Sequence, residues 1–365
     1  MALEFLYRQP VKIRFGSGSI RTLGEEIKAL GAARCLVVCD RFLRSAAEAM
    51  QKEIPEIAAI FSDVEENPQL SGVIKAAELA REAQVDAVVG IGGGSTMDTA
   101  KFAAAIAKEN ADALACFKGV SPFPKTRFPM IAVPTTAGTG SEVTQVSVIS
   151  NGSEKKTINN PVFMPTLAIV DPKLTLTVPP RTTMNTGLDA MAHALEGYWS
   201  RNHQPISDVC AIEAVRLVLE NLETAYRDGS DLAARENMSL AALLGGMSFA
   251  LPKTAGSHAC SYPLSEDYHL PHGEACAFTL DSFVRINADE RLETLCRRVG
   301  LSGTDELADR IKALKRLAGL RMTLSDLGAV DLDKLCRDAA KHPLMGNNPV
   351  VMDERALRRM FEALA

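Results

Sequence analysis

Four side chains of this sequence have the types and settings of metal ligands. Asp189 and His193 lie four apart in Gly187-Leu188-Asp189-Ala190-Met191-Ala192-His193, so on a helix they project from one face and can share an ion. Of the six histidines in the chain, two more stand in unusual settings: His258 follows Lys253-Thr254-Ala255-Gly256-Ser257, and His272 is held in Leu270-Pro271-His272-Gly273-Glu274. One carboxylate and three imidazoles make a borderline-hard donor set suited to Fe(II) or Zn(II), with a position left for a substrate oxygen. Such an ion acts as a Lewis acid, polarising a carbonyl or stabilising the alkoxide from which hydride leaves. Taken alone, an i, i+4 Asp/His pair is equally satisfied by a surface hydrogen bond, and spacing does not join the two pairs.

A second group of residues suits phosphate. The run Gly90-Ile91-Gly92-Gly93-Gly94-Ser95 falls where a strand ends, and Ser95-Thr96-Met97-Asp98 opens a helix. Consecutive glycines let a pyrophosphate approach the backbone, and the free amides of a helix N-terminus favour its charge. The spacing does not satisfy G-x-G-x-x-G, because Ser95 stands at the last glycine, so a tight turn with Ser95 as helix cap is the competing reading. Pro134-Thr135-Thr136-Ala137-Gly138-Thr139-Gly140-Ser141-Glu142 also follows a strand, and two such loops at one sheet edge suit a dinucleotide lying across it. Asp40 closes another strand, where a carboxylate can take a ribose hydroxyl and repel a 2'-phosphate, favouring NAD(H) over NADP(H). A helix cap is the plain alternative for Asp40.

The elements that must position these groups alternate in the first half. Strand-like runs are Cys35 to Cys39, Ala58 to Phe61, Ala87 to Ile91 and Met130 to Val133, separated by helical patterns from Ser45 to Lys52, Ser71 to Arg81 and Thr96 to Ala107. That order predicts a parallel sheet covered by helices. A short β segment is expected from Glu142 to Ile149, turning at Asn151-Gly152. Past Asp171-Pro172 strand signals nearly vanish, and helices are expected from Asn185 to Trp199, Asp208 to Asn221 and Leu232 to Phe249, with more beyond. The fold expected is an α/β dinucleotide-binding domain over residues 1–172 and an all-α metal- and substrate-binding domain over 173–365, with the site in the cleft they share.

Bulk composition agrees and excludes several classes. At 365 residues the chain suits two domains, and 47% hydrophobic with 23% charged residues describes a folded globular protein. A net charge of -5 without clustered Lys and Arg argues against nucleic acid as partner. The chain shows neither a signal-peptide pattern nor a run of about 18 apolar residues, so no membrane span and a cytoplasmic location are expected. Its eight cysteines are scattered without a CxxC pair, which predicts reduced, mostly buried thiols and no thiolate zinc site.

Three motifs resemble the iron-containing (group III) alcohol dehydrogenase family over nearly the whole chain. Gly92-Gly93-Gly94-Ser95-Thr96-Met97-Asp98-Thr99-Ala100-Lys101 is similar to the family's GGGSxxDxAK, Pro134 to Glu142 to its PTTAGTGSE, and Asp189, His193, His258 and His272 to its metal quartet. The resemblance implies a Rossmann-like domain joined to a helical one in a dehydroquinate synthase-like architecture. It also implies NAD(P) contacts at Asp40, Asn67, Gly92, Gly93, Gly94, Ser95, Asp98, Thr135, Thr136, Thr139 and Lys156, although Lys156 also reads as a solvated lysine on a β segment. It further implies a homodimer or larger oligomer, with Val11 to Phe15 as a contact.

Many members carry a histidine four residues after the third ligand, where Tyr262 stands here. A tyrosine hydroxyl shuttles protons less readily at neutral pH, so Tyr262 serves either as proton donor or as a pocket wall. The stretch Leu251 to Leu264 with Pro271 to Cys276 resembles a branch that reduces phosphonoacetaldehyde to 2-hydroxyethylphosphonate. Lys253, Arg201 and His203 near the ligands would suit its anionic tail, or are ordinary surface charges. Dehydrogenases of short-chain alcohols, diols or 4-hydroxybutyrate, and a maleylacetate reductase, are the rival expectations; the complete quartet counts against the last.

Overall fold

A computed structural model describes residues 4–152 and 154–364. Two compact units result: Gln9–Thr136 with Ser141–Thr175, and a second made of residues 4–8, Ala137–Gly140 and residues 176–364.

Among its described residues the first unit holds eight strands, β1 (Lys12–Phe15), β2 (Cys35–Cys39), β3 (Ile57–Phe61), β4 (Ala87–Gly92), β5 (Met130–Pro134), β6 (Val146–Asn151), β7 (Glu154–Asn159) and β8 (Leu167–Val170). Its helices are α1 (Leu23–Ala29), α2 (Arg44–Glu53), α3 (Leu70–Glu82), α4 (Gly94–Ala107) and α5 (Ala113–Lys118). Six strands form a parallel sheet in the order β1-β8-β5-β4-β2-β3. Every residue of β2, β4, β5 and β8 is buried, as expected of strands covered on both faces. Apolar layers sit on the two sides, one around Phe102, Ala103 and Val73, the other around Leu23, Ile27 and Val89.

One expected element differs. Ser141–Val143 forms a single 3-10 turn, and the strand begins only at Val146. The reason is the buried Lys101 ammonium, which donates to Ser141 Oγ (2.7 Å), Thr144 Oγ1 (3.3 Å) and the Val146 carbonyl (2.9 Å). Oxygens drawn from three positions toward one cation cannot keep the strict alternation of a strand. Asn151 still pairs with Glu154, and Gly152 takes the positive φ of +63° in the hairpin turn.

Among its described residues the second unit holds helices and no strand: α6 (Pro180–Trp199), α7 (Pro205–Arg227), α8 (Leu232–Phe249), α9 (Gly256–Tyr268), α10 (His272–Ile286), α11 (Glu290–Arg298), α12 (Thr304–Leu317), α13 (Leu332–Lys341) and α14 (Glu354–Glu362). Helices α6 and α7 start several residues earlier than their apolar periodicity suggests, because Pro180 and Pro205 occupy first-turn positions where proline needs no amide partner. Glycines bring the helices close: a Cβ at Gly197 of α6 would lie 2.8 Å from the Ser248 backbone of α8, and one at Gly245 of α8 3.2 Å from the Ala190 carbonyl. Among the described residues no helix is long and apolar enough to cross a membrane.

Candidate metal centre and dinucleotide loops

Helix α6 carries Asp189 and His193 one turn apart on its buried face. The first turn of α9 presents His258, and His272 is the first residue of α10. Nε2 of His258 and Nε2 of His272 each stand 3.7 Å from Asp189 Oδ1. The His193 ring lies beside them, its centroid 4.6 Å from that of His258, and stacks on Phe249 at 4.2 Å. Asp189 and His258 are only 4% and 5% exposed, whereas the His272 side chain is 45% exposed.

Hydrogen bonds settle which nitrogen of two rings is available. His193 Nδ1 donates to the Gly138 carbonyl at 3.3 Å, and His258 Nδ1 donates to Glu196. A carbonyl or carboxylate can only accept, so in the neutral rings Nε2 carries the lone pair. Asp189 Oδ1 and His258 Nε2 are buried with no hydrogen-bond partner. Buried atoms of this kind are costly unless something pairs with them, and an oxygen and a nitrogen lone pair aimed at each other call for a cation. The donor set fits a divalent ion.

Electrostatics agree. Burial would raise the Asp189 carboxyl, but His193, His272 and His258 hold it well below the usual carboxylate range. Burial drives His193 down to about 4. It also opposes charge on His258, yet Cys276, Glu196 and Asp189 raise that ring well above its ordinary value, and Cys276 and Asp189 raise His272 against burial. Protons on these rings are what an ion would displace.

In the other unit, the two loops leave adjacent strands at their carboxyl ends. Gly92 of β4 pairs with Pro134 of β5, and Thr135 N donates to the Gly92 carbonyl at 3.0 Å. A Cβ at Gly92 would lie 2.4 Å from Thr96 Oγ1, so the loop packs on α4 only as glycine. Helix α4 begins at Gly94 with Gly93 as cap and no side-chain cap bond. The competing reading of Ser95 as a cap does not hold: Ser95 lies inside the first turn, and its carbonyl accepts from Thr99 Oγ1. The first-turn amides are therefore left for an anion. Thr136 adjoins this cradle, its Oγ1 standing 3.4 Å from where a Gly93 Cβ would be.

The other predicted contacts are placed as follows. Asp40 caps the turn after β2, Oδ1 accepting from Phe42 N (2.8 Å) and Leu43 N (3.2 Å). Asp98 accepts from Val148 N at 3.1 Å and Ser141 Oγ at 3.5 Å, and burial pushes its carboxyl up to about 6 against the pull of Lys101. Asn67 is exposed and accepts from Lys155 Nζ at 3.4 Å. Lys156 pairs with Glu154 at 3.1 Å and lies over the Phe117 ring. Thr139 falls in the Ala137–Gly140 segment grouped with the helical unit.

Sequence profiles now decide the family. The iron-containing alcohol dehydrogenase profile matches residues 10–172, and the profile of the C-terminal part of the Fe-containing family matches residues 183–365. The chain belongs to the iron-containing alcohol dehydrogenase family. It is an oxidoreductase acting on CH–OH groups. Among its relatives, a long-chain-alcohol dehydrogenase of Geobacillus thermodenitrificans is 35% identical over 95% of this chain and 93% of its own length. A 1,3-propanediol dehydrogenase of Citrobacter freundii is 34% identical over 98% of both. The solved structure of a sulfoacetaldehyde reductase from Bifidobacterium kashiwanohense in complex with NAD+ superposes with a TM-score of 0.96 at 39% identity, covering 100% of this chain and 99% of that one.

Three residues of this iron-containing alcohol dehydrogenase escaped the sequence reading. Glu196 is fully buried and bonds both the ring and the backbone of His258; its place one turn beyond His193 on the same helix was the available signal. His342 stacks on Tyr262 at 4.1 Å, and nothing in linear spacing joins positions so far apart. Cys276 lies one turn after His272, Sγ 3.7 Å from His272 Nε2. Burial would raise its thiol, but His258 and His272 hold it below the ordinary value.

Proposed function

We propose that this protein reduces a small aldehyde with an anionic tail, phosphonoacetaldehyde first among them, using NADH in preference to NADPH. One Fe(II) or Zn(II) is held by Asp189, His193, His258 and His272. The observation that carries the reading is the pair of buried unpartnered atoms, Asp189 Oδ1 and His258 Nε2, facing each other at 3.7 Å. When bound, the ion supplies Lewis acidity toward the substrate oxygen and the dinucleotide supplies hydride.

The chain's own residues do the rest. Glu196 and the Gly138 carbonyl keep His258 and His193 in the tautomer that offers Nε2. Gly92, Gly93, Gly94 and Ser95 offer backbone to a pyrophosphate, and Thr135, Thr136 and Thr139 of the second loop offer hydroxyls; Asp40 keeps Oδ2 for a ribose hydroxyl. Asp98, through Ser141 and Val148, positions the second loop and strand β6 rather than the ligand, and Asn67 and Lys156 border the dinucleotide. Tyr262, one turn beyond His258 and stacked on His342, is the hydroxyl for the proton.

Support for an anionic tail comes from Lys253 and Arg201. Lys253 is exposed and held at φ +66°, a conformation that favours glycine. A non-glycine residue kept there points to a use for its side chain. Arg201 N donates to the Asn347 carbonyl, and Asn347 Nδ2 donates to the Thr254 carbonyl, which ties the two basic segments together. The aldehyde named for the Bifidobacterium relative also carries a tetrahedral oxyanion. The 1,3-propanediol dehydrogenase relative favours a second reading, a neutral short-chain alcohol or diol. Eight buried unpaired thiols suit a reducing cytoplasm, and the exposed edge strand β1 suits pairing in a homodimer.

The test is turnover of metal-loaded protein with NADH and NADPH on phosphonoacetaldehyde, sulfoacetaldehyde, succinic semialdehyde, butyraldehyde and lactaldehyde. An oxyanion-tailed aldehyde is expected to lead in kcat/KM by more than about tenfold. Equal rates on the neutral aldehydes would remove the tail assignment and leave the dehydrogenase.

A further inference from the structure

The donor atoms that converge most closely in the helical unit include a sulfur. Among the described residues, one atom each from Asp189, His258, His272 and Cys276 lie within 4.8 Å of one another. Three of the separations are 3.7 Å: His258 Nε2 to Asp189 Oδ1, His272 Nε2 to Asp189 Oδ1, and Cys276 Sγ to His272 Nε2. A tetrahedral zinc with ordinary Zn–N, Zn–O and Zn–S bonds has ligand-to-ligand edges of roughly 3.3 to 3.6 Å. Those three separations come close to such edges. His193 stands next to this set, its ring 4.6 Å from that of His258, and with Nδ1 bonded to Gly138 it keeps Nε2 as a further donor.

We propose that Cys276 is a metal ligand of this site, its thiolate joining Asp189, His258 and His272 on a thiophilic divalent ion. The inference rests on the metal-centre reading above and adds a donor to it. Three observations carry it. Asp189 Oδ1 and His258 Nε2, both buried and unpartnered, are aimed into the same small volume as Sγ. Cys276 follows His272 at i, i+4 on α10, so both donors issue from one face of one helix. Cys276 is fully buried, so its sulfur has no competing solvent contact. On ligation the S–H bond breaks, its proton leaves to solvent, and the sulfur lone pair makes the bond to the ion; no oxidation occurs. The expectation of no thiolate zinc site rested on the lack of a CxxC pair; in this proposal the partner donors are a carboxylate and two imidazoles from α6, α9 and α10 rather than a second cysteine.

A sulfur donor makes the site favour Zn(II), Co(II) and Cd(II) over Mg(II) and Mn(II). The test loads metal-free full-length protein with Co(II) alone and records binding stoichiometry and the electronic spectrum. The expected result is one ion per chain with d–d bands and a near-ultraviolet sulfur-to-cobalt charge-transfer band. Cys276→Ser is expected to bind Co(II) with the d–d bands kept, the charge-transfer band lost, and zinc affinity lowered about tenfold or more. Zinc-loaded wild-type protein gives a check independent of any variant: X-ray absorption is expected to show one sulfur at about 2.3 Å. Co(II) bound without the charge-transfer band, a band that survives in Cys276→Ser, or a zinc shell of nitrogen and oxygen only, overturns the assignment of Cys276 while the metal centre stands. Failure of the wild-type protein to bind Co(II) or Zn(II) at all overturns both.

Discussion

The carboxylate of Glu196 holds His258 from two directions. It accepts from the ring Nδ1, and it accepts from the backbone N–H groups of Ser257 (2.6 Å) and His258 (3.3 Å) that open helix α9. A helix N-terminus attracts negative charge and needs acceptors for its first amides. One buried side chain of α6 thus caps α9 and aims the imidazole that α9 carries. Glu196→Gln keeps the volume but removes the charge, and its amide can present only one oxygen. We expect divalent-metal affinity to fall by about 10- to 100-fold, read by competition with a chromophoric chelator, with NADH affinity unchanged. An unchanged metal affinity would mean that Glu196 only caps the helix.

That arrangement shows where linear reading stops. Asp189 and His193 were legible because helix periodicity puts them on one face, and the glycine loop because a strand must end before a phosphate cradle can open. Four of the six sheet strands, β2 to β5, followed from the alternation of apolar runs with helical patterns. Glu196, Cys276 and His342 were not legible, since their roles come from helices meeting in space. Lys101 is a related case: a lysine on a helix reads as solvated, yet this one is buried and pulls Ser141, Thr144 and Val146 out of strand geometry.

Asp40 separates cap from cofactor contact. Both of its recorded bonds end on Oδ1, so Asp40→Asn can keep the cap while removing the charge that repels a 2'-phosphate. The ratio of kcat/KM for NADPH to that for NADH is expected to rise by about tenfold, equivalent to roughly 1.4 kcal/mol. A ratio that does not move leaves Asp40 as a cap alone.

His342 links acidity to stability. Burial and the nearby His258 charge bring its ring down to about 4, so the fold prefers the neutral form. A depressed histidine contributes stability that is complete above the unfolded value near 6.5 and is lost as pH falls through about 4. Its Nδ1 accepts from Leu344 N at 3.3 Å, a bond that asparagine can replace. In metal-free protein, His342→Asn is expected to reduce the stability lost between pH 6.5 and 4 by on the order of 1 kcal/mol, discounted for partial exposure. Urea denaturation at the two pH values reads it. The buried His193, also brought down to about 4, keeps a share of the loss in both proteins. Identical pH profiles would show that His342 stays accessible to protons in the fold.

Lys253 offers a test in which stability and activity move in opposite senses. Its backbone N donates to the Phe249 carbonyl at 2.7 Å while φ stands at +66°, the arrangement that glycine adopts after a helix. Lys253→Gly relieves the left-handed penalty, partly offset by the greater freedom of unfolded glycine, so a gain of up to about 1 kcal/mol in unfolding free energy is expected. If the ammonium anchors an anionic tail, the same variant raises KM for phosphonoacetaldehyde or sulfoacetaldehyde by about tenfold, since a charged hydrogen bond lost on binding costs about 1.5 kcal/mol. The constants for butyraldehyde stay unchanged. Stabilisation with no change in KM for any aldehyde would make Lys253 a strained surface residue, and the tail would have to be bound by Arg201 or not at all.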